Sequence, residues 1–177
     1  MRSTRSHGLS IAVIAGMLTL GAASPALAGT TTATVTVTGG SLSITVPADA
    51  GNLGTRANTV LAGTISGSLG QVRVDDARSA AAGSGWIASV ISTAFTPPSG
   101  PTIGAAAVGY TAGTITKVGT ATFTANDPPD LTGSVPAVTA TGITGDNSAT
   151  WNPTINVTVA GGKAAGVYSG TITHSVV

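Results

Sequence analysis

Along residues 31–38 apolar and hydroxyl side chains alternate without a break. Ala33, Val35 and Val37 share one side, and Thr32, Thr34, Thr36 and Thr38 the other. A period of two is that of a half-buried strand. Gly39-Gly40 then signals a turn. Leu42, Ile44 and Val46 alternate again until Pro47. The pattern predicts a hairpin from these two strands.

Further strands are expected at 59–65 and at 71–75, where Val72 and Val74 face in and Arg73 faces out. Residues 86–92 are apolar on both faces, with Trp86, Ala88 and Val90 against Ile87 and Ile91. Such a strand is central, or covered by a loop. The chain between the last two strands, with Asp75, Asp76 and Arg78 at its start, reads as a loop. Residues 95–104 are rich in Pro and Gly and read as a long connection. Residues 121–125 and 135–141 are strand candidates, with a loop at 126–130 and a turn region at 141–148. From 151 to 159, Trp151, Pro153, Ile155, Val157 and Val159 share one face. Pro153 cannot donate to a ladder, so this strand starts at an edge or after Pro153. The run Gly161-Gly162-Lys163-Ala164-Ala165-Gly166 turns the chain into a last strand, 167–177. There Tyr168, Gly170, Ile172, His174 and Val176 share a face.

No helical period of apolar residues follows residue 28. About nine to ten short strands with turn signals between them predict an all-β fold. The expected form is an antiparallel, immunoglobulin-like β-sandwich, with a closed β-barrel as the alternative. No fixed repeat length marks a solenoid.

Composition adds a compartment. Residues 1–28 run from Arg2 and Arg5 through an apolar stretch to Ala26-Leu27-Ala28. That is the order of a secretory signal peptide, and the apolar stretch is short for a bilayer span. The expected mature chain, residues 29–177, is one domain's worth. It is expected to be secreted and to have no membrane span once the signal is removed. Five basic residues against six aspartates leave it a net charge of −1. It carries no basic patch for phosphates, so nucleic acid is not an expected partner. There is no cysteine and no glutamate, so the fold rests on packing and hydrogen bonds.

Certain segments resemble a known family. The segment Gly40-Ser-Leu-Ser-Ile resembles the opening strand of bacterial WxL-type surface proteins. Val72-Arg-Val-Asp-Asp-Ala-Arg, followed by Gly85-Trp86-Ile87-Ala88-Ser89-Val90, resembles their first motif strand. Gly166-Val167-Tyr168 leading to Ile172-Thr173-His174 resembles their closing strand. The chain departs from the family pattern twice. Ala88 stands where the family has Leu, and His174-Ser175-Val176 replaces Trp-x-Leu. The resemblance implies a WxL-like β-sandwich over 29–177 and non-covalent association with the cell wall, that is, peptidoglycan. Cell-wall glycan or other surface proteins are the implied partners.

The chemistry offered is sparse. Trp86 is either a platform for a sugar face or a core residue with its indole N–H satisfied locally. Tyr168 and His174 are candidates on the closing strand. His174 replaces the family's second Trp, which places it near Trp86 in expectation. Asp75, Asp76 and Arg78 are either a polar binding cluster or a local ion pair opening a loop. Together Trp86, Tyr168, His174, Asp75, Asp76 and Arg78 are the candidate wall- or partner-binding residues. The expected mature chain has one histidine and no cysteine, which makes a poor zinc site. Asp127, Asp130 and Asp146-Asn147 are oxygen ligands in expected loops but match no calcium-loop spacing. No cofactor or metal is expected. With one histidine, no glutamate and no cysteine, an enzyme is not expected either. The other expected role is structural or adhesive, through self-association of Thr-rich strands that little Lys protects.

Overall fold

A long antiparallel ribbon, bent once, forms the body of the molecule. In the computed structural model, which describes residues 30–177, β3 (Val72–Ser92) pairs with β6 (Val135–Trp151). The expected signal peptide lies outside the described residues. The ribbon continues past a bend, where β2 (Gly63–Ser68) pairs with β7 (Thr154–Val159). The bend falls at Leu69–Gly70–Gln71 on one strand and Asn152–Pro153 on the other. Gly70 supplies a φ of +91° there, which costs least without a Cβ. The Leu69 N–H donates to the Pro153 carbonyl at 2.9 Å and holds the two halves of the corner together. Bends of this kind let strands pass from one sheet to the other.

The ribbon thus seeds two antiparallel sheets. The larger has the order β1-β3-β6-β5, where β1 is Leu42–Thr45 and β5 is Thr116–Ala125. The closing strand β8 (Ile172–Val176) also pairs with β3, beside its far end. The smaller sheet has the order β2-β7-β4, with β4 at Val108–Thr111. The core lies between the sheets. It takes Val72, Val74, Trp86, Ala88 and Val90 from β3 and Val138, Ala140, Ile143, Ala149 and Trp151 from β6. Val108, Tyr110, Ile155 and Val157 face them from the smaller sheet. This is the expected antiparallel sandwich, and the sheets do not close into a barrel.

Several expectations are corrected. Residues 31–38 form no strand and are exposed, so the predicted first hairpin is absent. Instead β1 pairs with β3, Leu42 opposite Asp76 and Thr45 opposite Arg73. The chain falls into one unit ending at Thr36 and a second, Val37–Val177, that carries all eight strands. The expected loop after Asp76 and the expected turn at 141–148 are both strand. Each is the continuation of the ribbon, and each hides its period behind bulges. The β3–β6 register shifts between Asp76 and Ala80, Ala80 and Ser84, and Ser84 and Trp86. Extra residues at bulges break the alternation that sequence reading depends on. Among the described residues there are eight strands, because 71–75 and 86–92 merge into β3, 31–38 forms none, and β4 adds one the pattern did not mark. The final strand is shorter than expected, because residues 167–171 make only an isolated bridge, Ser169 to Thr96.

Gly119 sits at a further irregularity, where β5 shifts against β6. Its φ is +86°, and a Cβ there would lie 2.5 Å from the Asp146 carbonyl oxygen. Gly119→Ala is expected to destabilise the fold by roughly 1–3 kcal/mol. Urea unfolding checks this; an unchanged midpoint would contradict the assignment.

Candidate functional site

The alternation that buries Val72 and Val74 also turns Asp76 inward, onto the core face of β3. Asp76 is 2% exposed. A buried carboxylate needs partners, and Asp76 has four donor groups. The Arg78 Nε donates to Oδ1 at 2.8 Å and the Arg78 Nη2 to Oδ2 at 3.0 Å. The Arg78 backbone N–H donates to Oδ1 at 3.1 Å, and Asn147 Nδ2 to Oδ2 at 3.2 Å. The Arg78 guanidinium beside it holds the carboxyl below its ordinary range, against the opposing effect of burial. Asn147 faces Asp76 across the β3–β6 ladder. Its Oδ1 accepts the Trp86 indole N–H at 2.9 Å. Trp86 is buried and tilts against Phe123 at 5.7 Å between ring centroids.

A second polar cluster joins the two sheets. Trp151 on β6 donates its indole N–H to the Tyr110 hydroxyl on β4 at 2.7 Å. That hydroxyl lies 3.1 Å from Nε2 of His174 on β8. With the hydroxyl donating to Nε2, the neutral imidazole carries its proton on Nδ1. Nδ1 is buried and has no hydrogen-bond partner. Burial pushes the His174 pKa down to about 4. Burial also raises the Tyr110 hydroxyl, against the lowering effect of the Trp151 hydrogen bond.

The candidate residues therefore part company. Trp86 is a core residue hydrogen-bonded to Asn147 and offers no open ring face. Asp76 and Arg78 form a partly buried pair that supports it. Asp75 points the other way and pairs with Arg73 on the outer face, with Arg73 Nε 2.7 Å from its Oδ2. Tyr168 donates its hydroxyl to the Ala164 carbonyl at 2.9 Å and braces the preceding turn. His174 stands opposite Val90, four residues along β3 from Trp86. Its hydrogen-bond partner is Tyr110, which connects it to Trp151. The sequence marked Asn147 only as a loop oxygen and marked Tyr110 not at all. Asn147 fell inside the supposed turn, although it shares a period of two with Ala149 and Trp151.

Asp127 and Asp130 in loops, and Asp146 in β6, each accept a backbone N–H. Asp127 accepts from the Ala112 N–H, Asp130 from Thr132 and Asp146 from Ser79. Among the described residues no three His, Cys, Asp or Glu side chains come together as a metal site. No described helix is long and apolar enough to cross a membrane. An open groove of about 590 Å³ lies over the smaller sheet, lined by Thr64, Thr111, Asn156 and Thr158 beside Pro128 and Pro129. No family model, characterised protein or solved structure matches the chain.

Two predictions follow from these clusters. Asn147→Leu leaves the buried Trp86 N–H without a partner and removes one of the two donors to Asp76 Oδ2. It should cost roughly 1–3 kcal/mol for the orphaned N–H, read by denaturant unfolding. Lowering the pH should act through His174. Its folded pKa lies below the ordinary value of 6.5, so the unfolded chain binds the proton first. Stability is then full above that value and falls toward about pH 4, by at most about 1.4 kcal/mol per unit. Asp75 and Asp76, both lowered, add a further loss only as pH falls below the ordinary carboxylate range, about 3.9. His174→Asn should flatten the upper limb and leave the lower one; an unchanged upper limb would contradict the assignment.

Proposed function

We propose that this chain is a non-catalytic secreted surface protein that associates non-covalently with bacterial cell-wall peptidoglycan. The observation that supports it best is the pairing of the two motif strands. Residues 88–92 of β3 lie hydrogen-bonded beside β8, with Ala88 opposite Val176 and Val90 opposite His174. Segments more than eighty residues apart in sequence thus make one surface. Their inward residues are occupied in holding the sandwich. Their outward residues are Ile87, Ser89 and Ile91 on β3, with Thr173, Ser175 and Val177 on and just beyond β8. Ile87 and Ile91 are 38% and 36% exposed. Sugar rings present C–H faces rimmed with hydroxyls. Aliphatic side chains among Ser and Thr hydroxyls complement both features. On this reading Trp86 and His174 shape the surface from behind and do not touch the glycan.

A second reading, assembly with other protein chains, is favoured by one observation. β5 is ten residues long and pairs with β6 alone, so its outer edge is open to another strand.

Co-sedimentation with purified peptidoglycan tests the first reading. The chain should pellet with the wall, and Ile87→Lys with Ile91→Lys should weaken binding roughly tenfold, or about 1.4 kcal/mol. Trp86→Phe, if folded, should retain it. Binding no better than that of an unrelated domain, or untouched by the isoleucine changes, would overturn the reading.

A further inference from the structure

Residues 31–38 have the strictest strand pattern in the chain, yet they form no strand and pair with none among the described residues. Val35 and Val37 are 91% and 88% exposed. Chains seldom leave such a pattern unused, because β-branched residues on one face gain by burial. We infer that this segment is a donor strand that pairs with the open edge of β5 on a second copy of the chain. The inference rests on the assembly reading above and names its partner; wall association stands or falls separately.

The complementarity is specific. β5 turns Ala121, Phe123 and Ala125 toward the core, and each is only partly covered. Thr120, Thr122 and Thr124 face out. The donor carries the same two rows: Ala33, Val35 and Val37 on one side, threonines on the other. An added strand would extend the core face over the Phe123 ring and place threonines beside threonines, a favourable cross-strand pairing. Main-chain hydrogen bonds along the edge would supply affinity, as in other strand additions. No proline interrupts β5, and its single charge, Lys117, sits at its far end.

The partner must be another molecule. The Gly40 N–H donates to the Ala77 carbonyl at 2.6 Å, which pins Gly40 alongside β3 on the β1 side of the sheet. A position outside β5 lies four strand spacings away, about 19 Å. Thr38 is two residues from Gly40 and reaches about 7 Å. Val35, five residues away, reaches about 17 Å, so the Val35–Thr38 half of the donor cannot lie along its own β5. Each copy offers the donor and the β5 edge at different places, so the contact is head-to-tail and continues into a chain of copies.

The chain has no cysteine, which makes cross-linking clean. Full-length protein carrying Thr36→Cys would be mixed with a differently tagged copy carrying Thr122→Cys, then treated with a short bismaleimide. The mixed dimer should exceed that formed with a Ser66→Cys control on β2 by roughly tenfold. Val35→Asp added to the donor copy should abolish the excess and leave the melting temperature unchanged, since Val35 lies outside the fold. Yields equal to the control, or yields that survive Val35→Asp, would overturn the inference. So would a Thr36→Cys/Thr122→Cys chain that cross-links only within itself. Peptidoglycan co-sedimentation of the Val35→Asp protein separates this outcome from failure of wall binding.

Discussion

The buried Asp76 carboxylate is the constraint on which the larger sheet depends. It lies on the face that also carries Val72 and Val74, and it is the only ionisable group among the buried polar residues described. Desolvating a carboxylate is costly unless every lone pair is met. Here Arg78 comes from the same strand and Asn147 from the facing one. A slip of β6 by one residue would turn Asn147 outward and leave Asp76 and the Trp86 N–H without their shared partner. The network therefore favours a single register for a long ribbon whose bulges would otherwise make its register loose. Apolar residues of equal volume could pack as well, but they would not discriminate between registers.

The second cluster does for the two sheets what the first does for one. Trp151, Tyr110 and His174 come from three strands in both sheets. Their hydrogen bonds run through the core, where low polarity strengthens each of them. The unpartnered His174 Nδ1 is the weak point of this cluster. Burial also disfavours a second proton, on Nε2, so acid is expected to act on the sandwich through its closing strand. Both clusters use the indole N–H of a tryptophan, and both leave its ring face covered. On β3 and β8, Trp86 and His174 are thus part of the frame. What those strands can offer a partner lies on their opposite faces.

Much of this was legible in the chain. The sandwich, the inward set Val72, Val74, Trp86 and Val90, and the face shared by Trp151, Ile155 and Val157 all followed from a period of two. Asp76 was legible too, since the same period puts it inward, but its charge suggested a loop. Asn147 and Tyr110 were not legible. Asn147 lies among Gly142, Gly145 and Asp146, a composition that reads as a turn and is here the twisted middle of a strand. Tyr110 belongs to a four-residue strand, too short for periodicity to mark. Residues 31–38 failed the other way. Their pattern was real, but a strand also requires an edge to pair with, and only the whole sheet reveals which edges are open.

Trp86 and Trp151 hold the fold from inside, and on the proposed reading neither touches the glycan. The chain has two tryptophans, so its intrinsic fluorescence reports on Trp86 and Trp151 together. Acrylamide quenching of this emission, with and without soluble peptidoglycan fragments, addresses the claim most directly. The account predicts weak quenching that does not change when the fragments bind. Strong quenching in the free protein, or protection on adding the fragments, would contradict it.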